Sequence, residues 1–430
     1  MADEWHEATL EQLGRIVTGK TPPTAQADFY GGIIPFVTPT DFDGRRIIDS
    51  TGRNLTDIGA DIVAGAQIPA DSVMVSCIGS DMGKVAISSR ESVTNQQINS
   101  IIVNDENDAL FVYYNLSQRR AEIKAAAGGS AQPILNKTAF GLLDILLPPL
   151  PEQRAIAQIL GTLDDRIEAN RRMAATLEEM ARTLFRAWFV TFDPVRAKAE
   201  GRWRPGQTLP GLPARLYDAF PDRLVEAEHG EIPEGWRLGS IYEVAKVIYG
   251  APFASEQFNT EGRGAPLIRI RDLRSETPGV WTDEQHPKGY LVKPGDIVVG
   301  MDGEFRAYLW GSNPAWLNQR VCVFQPKAGY SAAQVRNLIL NPLAFVEATQ
   351  VGTTVIHLGK KDIDNFKITV PAPNISEQFG RLAQPWYDKL VSIKIATRTI
   401  GYIRDLLLPK LVSGMIRVKD AEAFLKARGL

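Results

Sequence analysis

Residues 14–21, GRIVTGKT, match letter for letter the phosphate-loop pattern in which a glycine-rich turn feeds a helix that meets phosphates with its first N–H groups and its dipole. Pro22 and Pro23 follow at once and spoil any such helix. A stand-alone nucleotide hydrolase is therefore the weaker reading, and it requires ATP binding that Lys20→Ala abolishes. Other catalytic patterns are missing. The four histidines, His6, His229, His286 and His357, lack metal-ligand spacing. There is no G-x-S-x-G elbow, no Asn/Asp-Pro-Pro-aromatic motif of amino-methyltransferases and no nuclease-like acidic triad. Cys77 and Cys322 each sit in an apolar run and offer neither a disulfide framework nor a metal site, which fits a reducing cytoplasm. The chain reads as a binder, not a catalyst.

What remains is polar residues that recur in two places. Thr38, Thr40, Arg45 and Arg46 correspond to Arg269, Arg271 and Arg274 of RIRDLR, where alternation along a strand points two guanidiniums from one face. Asn95, Gln96 and Gln97 correspond to Asn318, Gln319 and Arg320; amides can read adenine edges bidentately and arginine can read guanine. Ser130, Gln132, Asn136 and Lys137 correspond to Thr353, Thr354, His357, Lys360 and Lys361, a set suited to phosphate as well as base contacts. Any one of them is as easily a surface or turn residue. The recurrence of the set favours a binding surface.

The elements that must position these residues are themselves repeated. WHEATLEQLGRIVTGKTPPT at Trp5 finds a counterpart 231 positions on, in WRLGSIYEVAKVIYGAPFAS at Trp236, and the same offset pairs Pro35 with Pro266 and Asp41 with Asp272. An offset of 223 pairs Asn95 with Asn318, Leu135 with Leu358, Lys137 with Lys360 and Pro148 with Pro371. Of the phosphate-loop letters only Gly19 recurs, as Gly250, which is what a turn requires. Within each copy the apolar runs are short, β-branched and punctuated by Gly, Pro and Asp, so they predict strands, with shorter helices over residues 109–127 and 331–350.

Each copy is followed by a heptad pattern. Ile156, Leu160, Leu163, Ile167, Asn170, Ala174, Leu177, Ala181, Leu184 and Trp188 alternate in steps of four and three, with charges of both signs between them. Such a rod needs a second helix to cover its seam. Phe379, Ala383, Trp386, Leu390, Ile393, Thr397, Ile400 and Leu407 repeat the rhythm and supply it. Asn170 is a polar seam residue of the kind that fixes register. Pro385 predicts a kinked or delayed start to the second helix, and Pro409 and Gly414 its end.

The chain is thus expected to be α+β, with two repeated domains at 1–150 and 236–373. Long helices are expected at 151–192 and 374–414, a Pro/Gly-rich wrapped connector at 193–235 and a tail at 415–430. With 48 Lys+Arg against 50 Asp+Glu the net charge is −2, so any polyanion site is a local patch. No apolar run approaches a membrane span, and MADEWHEATLEQ lacks the regions of a signal peptide, so a soluble cytoplasmic protein is expected.

With repeat and helices in view, the chain resembles the specificity (S) subunits of type I restriction-modification enzymes. The most specific stretches are LPPLPEQRAIAQIL from Leu147, LEEMARTLFRAWF, GEIPEGW from Gly230, PAPNISEQF and LLLPKLVSGMIRV. The resemblance implies two target recognition domains, each reading half of an asymmetric bipartite site in double-stranded DNA. It implies two conserved helices, paired antiparallel about a pseudo-two-fold axis, that set the spacer. It also implies docking of two modification (methyltransferase) subunits and of restriction/translocase subunits. S-adenosylmethionine, ATP and Mg would belong to those partners, with no cofactor and no catalytic residue in this chain. A coiled-coil scaffold whose repeats bind protein is the remaining alternative.

Overall fold

A computed structural model describes residues 5–128, 133–228, 230–349 and 356–430; Ser130, Gln132, Thr353 and Thr354 lie outside the described residues. The chain divides into two compact units, Met1–Arg166 with Ile400–Leu430, and Ile167–Thr399.

In the first unit, strands His6–Thr9 and Asp144–Leu147 pair antiparallel, with His6 opposite Leu147. Beside them a five-stranded sheet runs in the order Gly14–Thr18, Ile98–Val103, Val73–Ser76, Val85–Ser88, Ile47–Ile48. A four-stranded sheet has the order Asn54–Leu55, Tyr30–Val37, Ser92–Thr94, Gln67–Ile68. Val73, Met74, Val75 and Ile98 are fully buried, as β-branched and other apolar runs in covered strands should be. The expected helix over 109–127 is two, Ala109–Ser117 and Arg120–Ala125. Asp108 caps the first through the N–H of Phe111.

The second unit repeats this plan. Arg237–Ser240 pairs antiparallel with Lys367–Val370. One sheet has the order Ala245–Tyr249, Val321–Pro326, Ile297–Gly300, Ala307–Leu309, and the other Phe258–Asn259, Trp281–Thr282, Ala265–Ile268, Ala315–Leu317, Leu291–Val292. Gly14–Thr18 and Tyr30–Val37 align with Ala245–Tyr249 and Ala265–Ile268 at the offset of 231, and Ser92–Thr94 and Ile98–Val103 with Ala315–Leu317 and Val321–Pro326 at 223. These strands keep the same neighbours in both repeats, while the first adds Ile47–Ile48 to one sheet and the second adds Phe258–Asn259 to the other.

The stretch expected to be a mere connector is part of this second core. Asp193–Ala199 is helical, Leu224–Ala227 and Gly230–Pro233 form a hairpin, and Val195, Trp203, Leu212, Leu216 and Phe220 are buried with Trp188 and Trp236. Its prolines and glycines hid aromatic anchors that each contribute roughly 1.5–3 kcal/mol on burial.

The two long helices span Leu150–Phe189 and Pro373–Val412, 40 residues each. In the first unit Ile156, Leu160, Leu163, Ile400 and Leu407 are buried, and Asp164 meets Arg404. In the second, Phe379 packs on Phe185, Trp188 and Phe189, while Trp386 lies by Ala175–Ala187 positions such as Glu179 and Thr183. Later residues of the one helix meet earlier residues of the other, so within this unit they run antiparallel. Ile167, Ala181, Leu184, Trp188, Ala383, Leu390 and Ile393 are buried, whereas Asn170, Ala174 and Leu177 are half-buried.

Three details differ from expectation. Tyr387, not Trp386, fills the seam: Tyr387 is buried and its hydroxyl accepts from Asn337, while Trp386 lines an open groove. The helix runs through Pro385, whose missing N–H costs one bond that the packing of Ala383, Tyr387 and Leu390 offsets. It also runs through Pro409 and stops near Gly414, whose φ of 70° is the left-handed conformation that ends helices.

Candidate nucleic-acid interface

In the first repeat, Tyr30–Val37 and Ser92–Thr94 run parallel, with Phe36 opposite Val93 and Val37 opposite Thr94. Parallel strands release their chains at the same end, so Thr38 and Asn95 emerge side by side, the Asn95 N–H donating to Val37 O at 3.0 Å. The turn after Gly14–Thr18 reaches the same edge: Gly19 N donates to Ile98 O (3.0 Å) and Lys20 N to Thr94 O (2.8 Å). A Cβ on Gly19 would stand 2.0 Å from Asn95 O, which is why glycine is required there. Residues 14–18 are strand and no helix begins at Lys20, so the phosphate-loop letters do not form a phosphate loop. Thr21 Oγ1 donates to Gln96 Oε1 at 2.5 Å, and Lys20, Thr40 and Gln96 are exposed.

The second repeat builds the same edge. Leu267 lies opposite Trp316 and Ile268 opposite Leu317 in a parallel pair, and Gly250 N and Ala251 N donate to Val321 O and Leu317 O, each at 3.0 Å. A Cβ on Gly250 would meet Asn318 O at 1.9 Å. Asp41 and Asp272 are used alike in the two edges. Asp41 Oδ2 accepts from the N–H of Thr38 (2.7 Å), and Asp272 Oδ2 from that of Arg269 (3.0 Å). Each carboxylate closes a single 3-10 turn, Pro39–Asp41 or Ile270–Asp272.

That turn overturns the expected alternation in RIRDLR. The strand stops at Ile268; Arg269 folds back on buried Asp272, its Nε 3.1 Å from Oδ2. Arg271 and Arg274 are exposed, and neither has a hydrogen-bond or ion-pair partner among the described residues. In the first repeat, Arg45 bonds to Asp43 (2.8 Å) and Asp49 (2.6 Å), so much of its charge is met within its own loop. Burial disfavours the Asp43 charge, but the Arg45 N–H and guanidinium outweigh it and hold that carboxyl below its usual range. Arg46 points the other way. Its guanidinium donates to Tyr114 Oη (3.2 Å), Gly161 O (3.3 Å) and Asp165 (2.6 Å), which fixes the domain to the first long helix. That contact set makes Arg46 a strut, not a reader.

Asn136 caps Lys137–Gly141 by accepting from Ala139 N at 2.9 Å, leaving Lys137 exposed. Lys360 is paired with Asp364 at 3.1 Å, and Lys361 is exposed. Asn95 is buried and tied to Gln97, its Oδ1 accepting the Gln97 N–H at 3.1 Å, whereas Gln319 and Arg320 are exposed.

A third loop joins each edge. Met301 N donates to Arg320 O (2.9 Å), Leu358 N to Met301 O (2.7 Å) and Gly303 N to Ile356 O (3.2 Å). Asp302 Oδ1 then lies 3.3 Å from Arg320 Nη1 and 2.6 Å from His357 Nδ1. The first repeat has the same lattice, Cys77 N to Gln97 O (2.8 Å) and Leu135 N to Cys77 O (3.0 Å), but puts Ile78 and Ile134 where Asp302 and His357 stand. Sequence reasoning missed Asp302 because a lone aspartate in GMDGEF reads as a turn residue. It also missed Tyr114, Asp164 and Arg404, which gain meaning only through partners far away in the chain.

Each repeat therefore offers a polar edge of amides, hydroxyls and exposed cations, with no group of three His, Cys, Asp or Glu among the described residues that could hold a metal. The class is a two-repeat α+β protein whose repeats are each followed by a long helix. The sequence model of the type I restriction modification DNA specificity domain matches residues 2–179 and 233–384, and the chain belongs to that family.

Among its relatives, the type I restriction enzyme MjaIX specificity subunit of Methanocaldococcus jannaschii is 25% identical over 97% of this chain and 94% of that one. The type I restriction enzyme EcoBI specificity subunit of Escherichia coli is 36% identical over 45% of this chain and 42% of its own length. The crystal structure of a type I restriction-modification system S subunit from M. genitalium superposes with a TM-score of 0.58 at 16% identity, covering 95% of this chain and 96% of that one, a likeness of fold.

Proposed function

We propose that this chain is the sequence-reading subunit of a type I restriction-modification complex, itself without catalytic residues. The observation that carries the reading is the doubled polar edge: two copies of one loop constellation, on one topology, with different side chains. Two such readers of different composition suit an asymmetric bipartite site in double-stranded DNA, since hydrogen-bonding side chains at base edges carry sequence information. At 1.5 Å per residue each long helix measures about 60 Å, enough to cover more than one turn of duplex, so the helices are suited to setting the unread spacer. Coupling two weak half-site readers in one chain raises affinity through effective concentration.

In this reading two modification subunits dock on the helices and adjoining surfaces and methylate adenine with S-adenosylmethionine. Restriction/translocase subunits add ATP- and Mg-dependent cleavage. In this reading the work is done in the cytoplasm, with the DNA that is read. The test is to sequence the methylated bases of the host genome with and without the gene. Loss of one bipartite methylated-adenine motif is expected, and exchange of residues 236–373 for those of another family member should alter one half-site alone. An unchanged set of methylated motifs in the deletion strain would refute the proposal.

A further inference from the structure

We infer that Arg320 is the second repeat's guanine reader and that Asp302, held by His357, is the positioning residue that aims it; the inference rests on the DNA-reading role proposed above. Positions 97 and 320 are equivalent, since each offers its carbonyl to the same loop strand, that of Gln97 to Cys77 N at 2.8 Å and that of Arg320 to Met301 N at 2.9 Å. The backbone at this point is thus fixed in both repeats, and what differs is the side chains set on it. In the second repeat Asp302 receives Arg320 Nη1 and is backed by His357 Nδ1 on the same oxygen.

The Asp302–Arg320 pair runs from the more covered group to the more exposed one. The Asp302 side chain is 24% exposed, the Arg320 side chain 58%. A guanidinium has five N–H donors in a rigid fork, so one contact to Asp302 leaves a pair free to face O6 and N7 of guanine. Free in water, the arginine would have to surrender side-chain entropy on binding; anchored, it has already done so. As a stabilising device an exposed pair of this kind is worth little, so the arrangement gains nothing obvious for folding. The first repeat supplies the contrast. There the same scaffold carries Ile78, Gln97 and a 45% exposed Ile134, so the three matched positions present apolar and amide groups in place of the carboxylate, guanidinium and imidazole. One scaffold carrying two chemistries gives the two half-sites different letters.

The test is methylome sequencing of host strains whose own copy of the gene is intact, deleted, or carries Arg320→Gln, Arg320→Lys or Asp302→Asn. The expected result is that the intact strain has a G·C pair in one half-site at which Arg320→Gln relaxes discrimination roughly 5- to 150-fold, the value of one bidentate contact. Arg320→Lys keeps the charge but not the fork and should relax the same pair. Asp302→Asn should relax that pair alone and less severely. A motif kept at full stringency in Arg320→Gln would overturn the assignment. So would relaxation at an A·T pair, or a uniform fall in methylation with the motif intact, which is what a phosphate contact gives. A deletion strain that keeps every methylated motif would instead remove the DNA-reading role itself.

Discussion

Arg404 Nη1 donates to Asp164 Oδ1 at 2.7 Å across 240 residues of sequence, and Asp164 Oδ2 accepts the Tyr114 hydroxyl at 2.7 Å. One largely buried carboxylate thus joins both long helices to the helix Ala109–Ser117 of the first domain. Burial and the Asp164 charge both push the Tyr114 hydroxyl above its ordinary value, so it stays a neutral donor. Asp164→Ala leaves a half-buried arginine and a buried tyrosine hydroxyl without this acceptor, and should cost about 2–3 kcal/mol. Denaturant unfolding of Asp164→Ala, Arg404→Ala and the double variant measures it. Strictly additive losses would show that the two side chains are not coupled.

Arg46 stands among residues that suit DNA by type but is committed to Tyr114, Gly161 and Asp165. Arg46→Ala should lower stability by about 1–3 kcal/mol and leave the methylated sequence unchanged. A changed half-site at normal stability would return Arg46 to the reading surface.

Gly19 and Gly250 each face the backbone carbonyl of an asparagine at a distance no Cβ can occupy. Gly19→Ala must push Asn95 and its loop aside, and Gly250→Ala must do the same to Asn318. Each should degrade recognition of its own half-site and leave the other intact, read as methylation of hybrid target duplexes. Lys20→Ala, by contrast, should change no nucleotide affinity, because equilibrium dialysis of ATP against the intact chain is expected to show none to lose.

Burial pushes the Cys322 thiol up to about 12 and the Cys77 thiol to about 11, the latter against the N–H of Asn99, which favours the thiolate. Neither should react with a thiol reagent near pH 8 until the chain unfolds. The unfolded chain releases these protons from about pH 9, whereas the native chain holds them to a higher pH. Stability contributed here is therefore full below pH 9 and falls as pH rises above it. Rapid labelling of both thiols in the native protein at pH 8 would contradict their burial.

Pattern and repetition settled a good deal from sequence alone. A heptad period in the apolar residues, short β-branched runs and two self-alignments gave the two long helices, the strand-rich repeats and the pairing of the first helix with a later one. Such periodicities are legible because burial of one face acts on every residue of an element in the same way. Matched glycines and aspartates were legible as well, because close approach and turn closure each admit few residue types, as at Gly19/Gly250 and Asp41/Asp272.

Tertiary structure decided where each polar side chain spends its hydrogen bonds. Arg46, Arg269 and Arg320 are alike as letters, yet one braces a helix, one closes a turn and one stands exposed beside Asp302. A guanidinium's role depends on which carboxylate lies within about 3 Å, and that neighbour is brought by chain paths of 3 to 119 residues. The aromatic anchors of residues 193–235 were hidden for a related reason: Trp203 and Phe220 follow no period, and their place in the core is set by cavity shape, which no local pattern encodes.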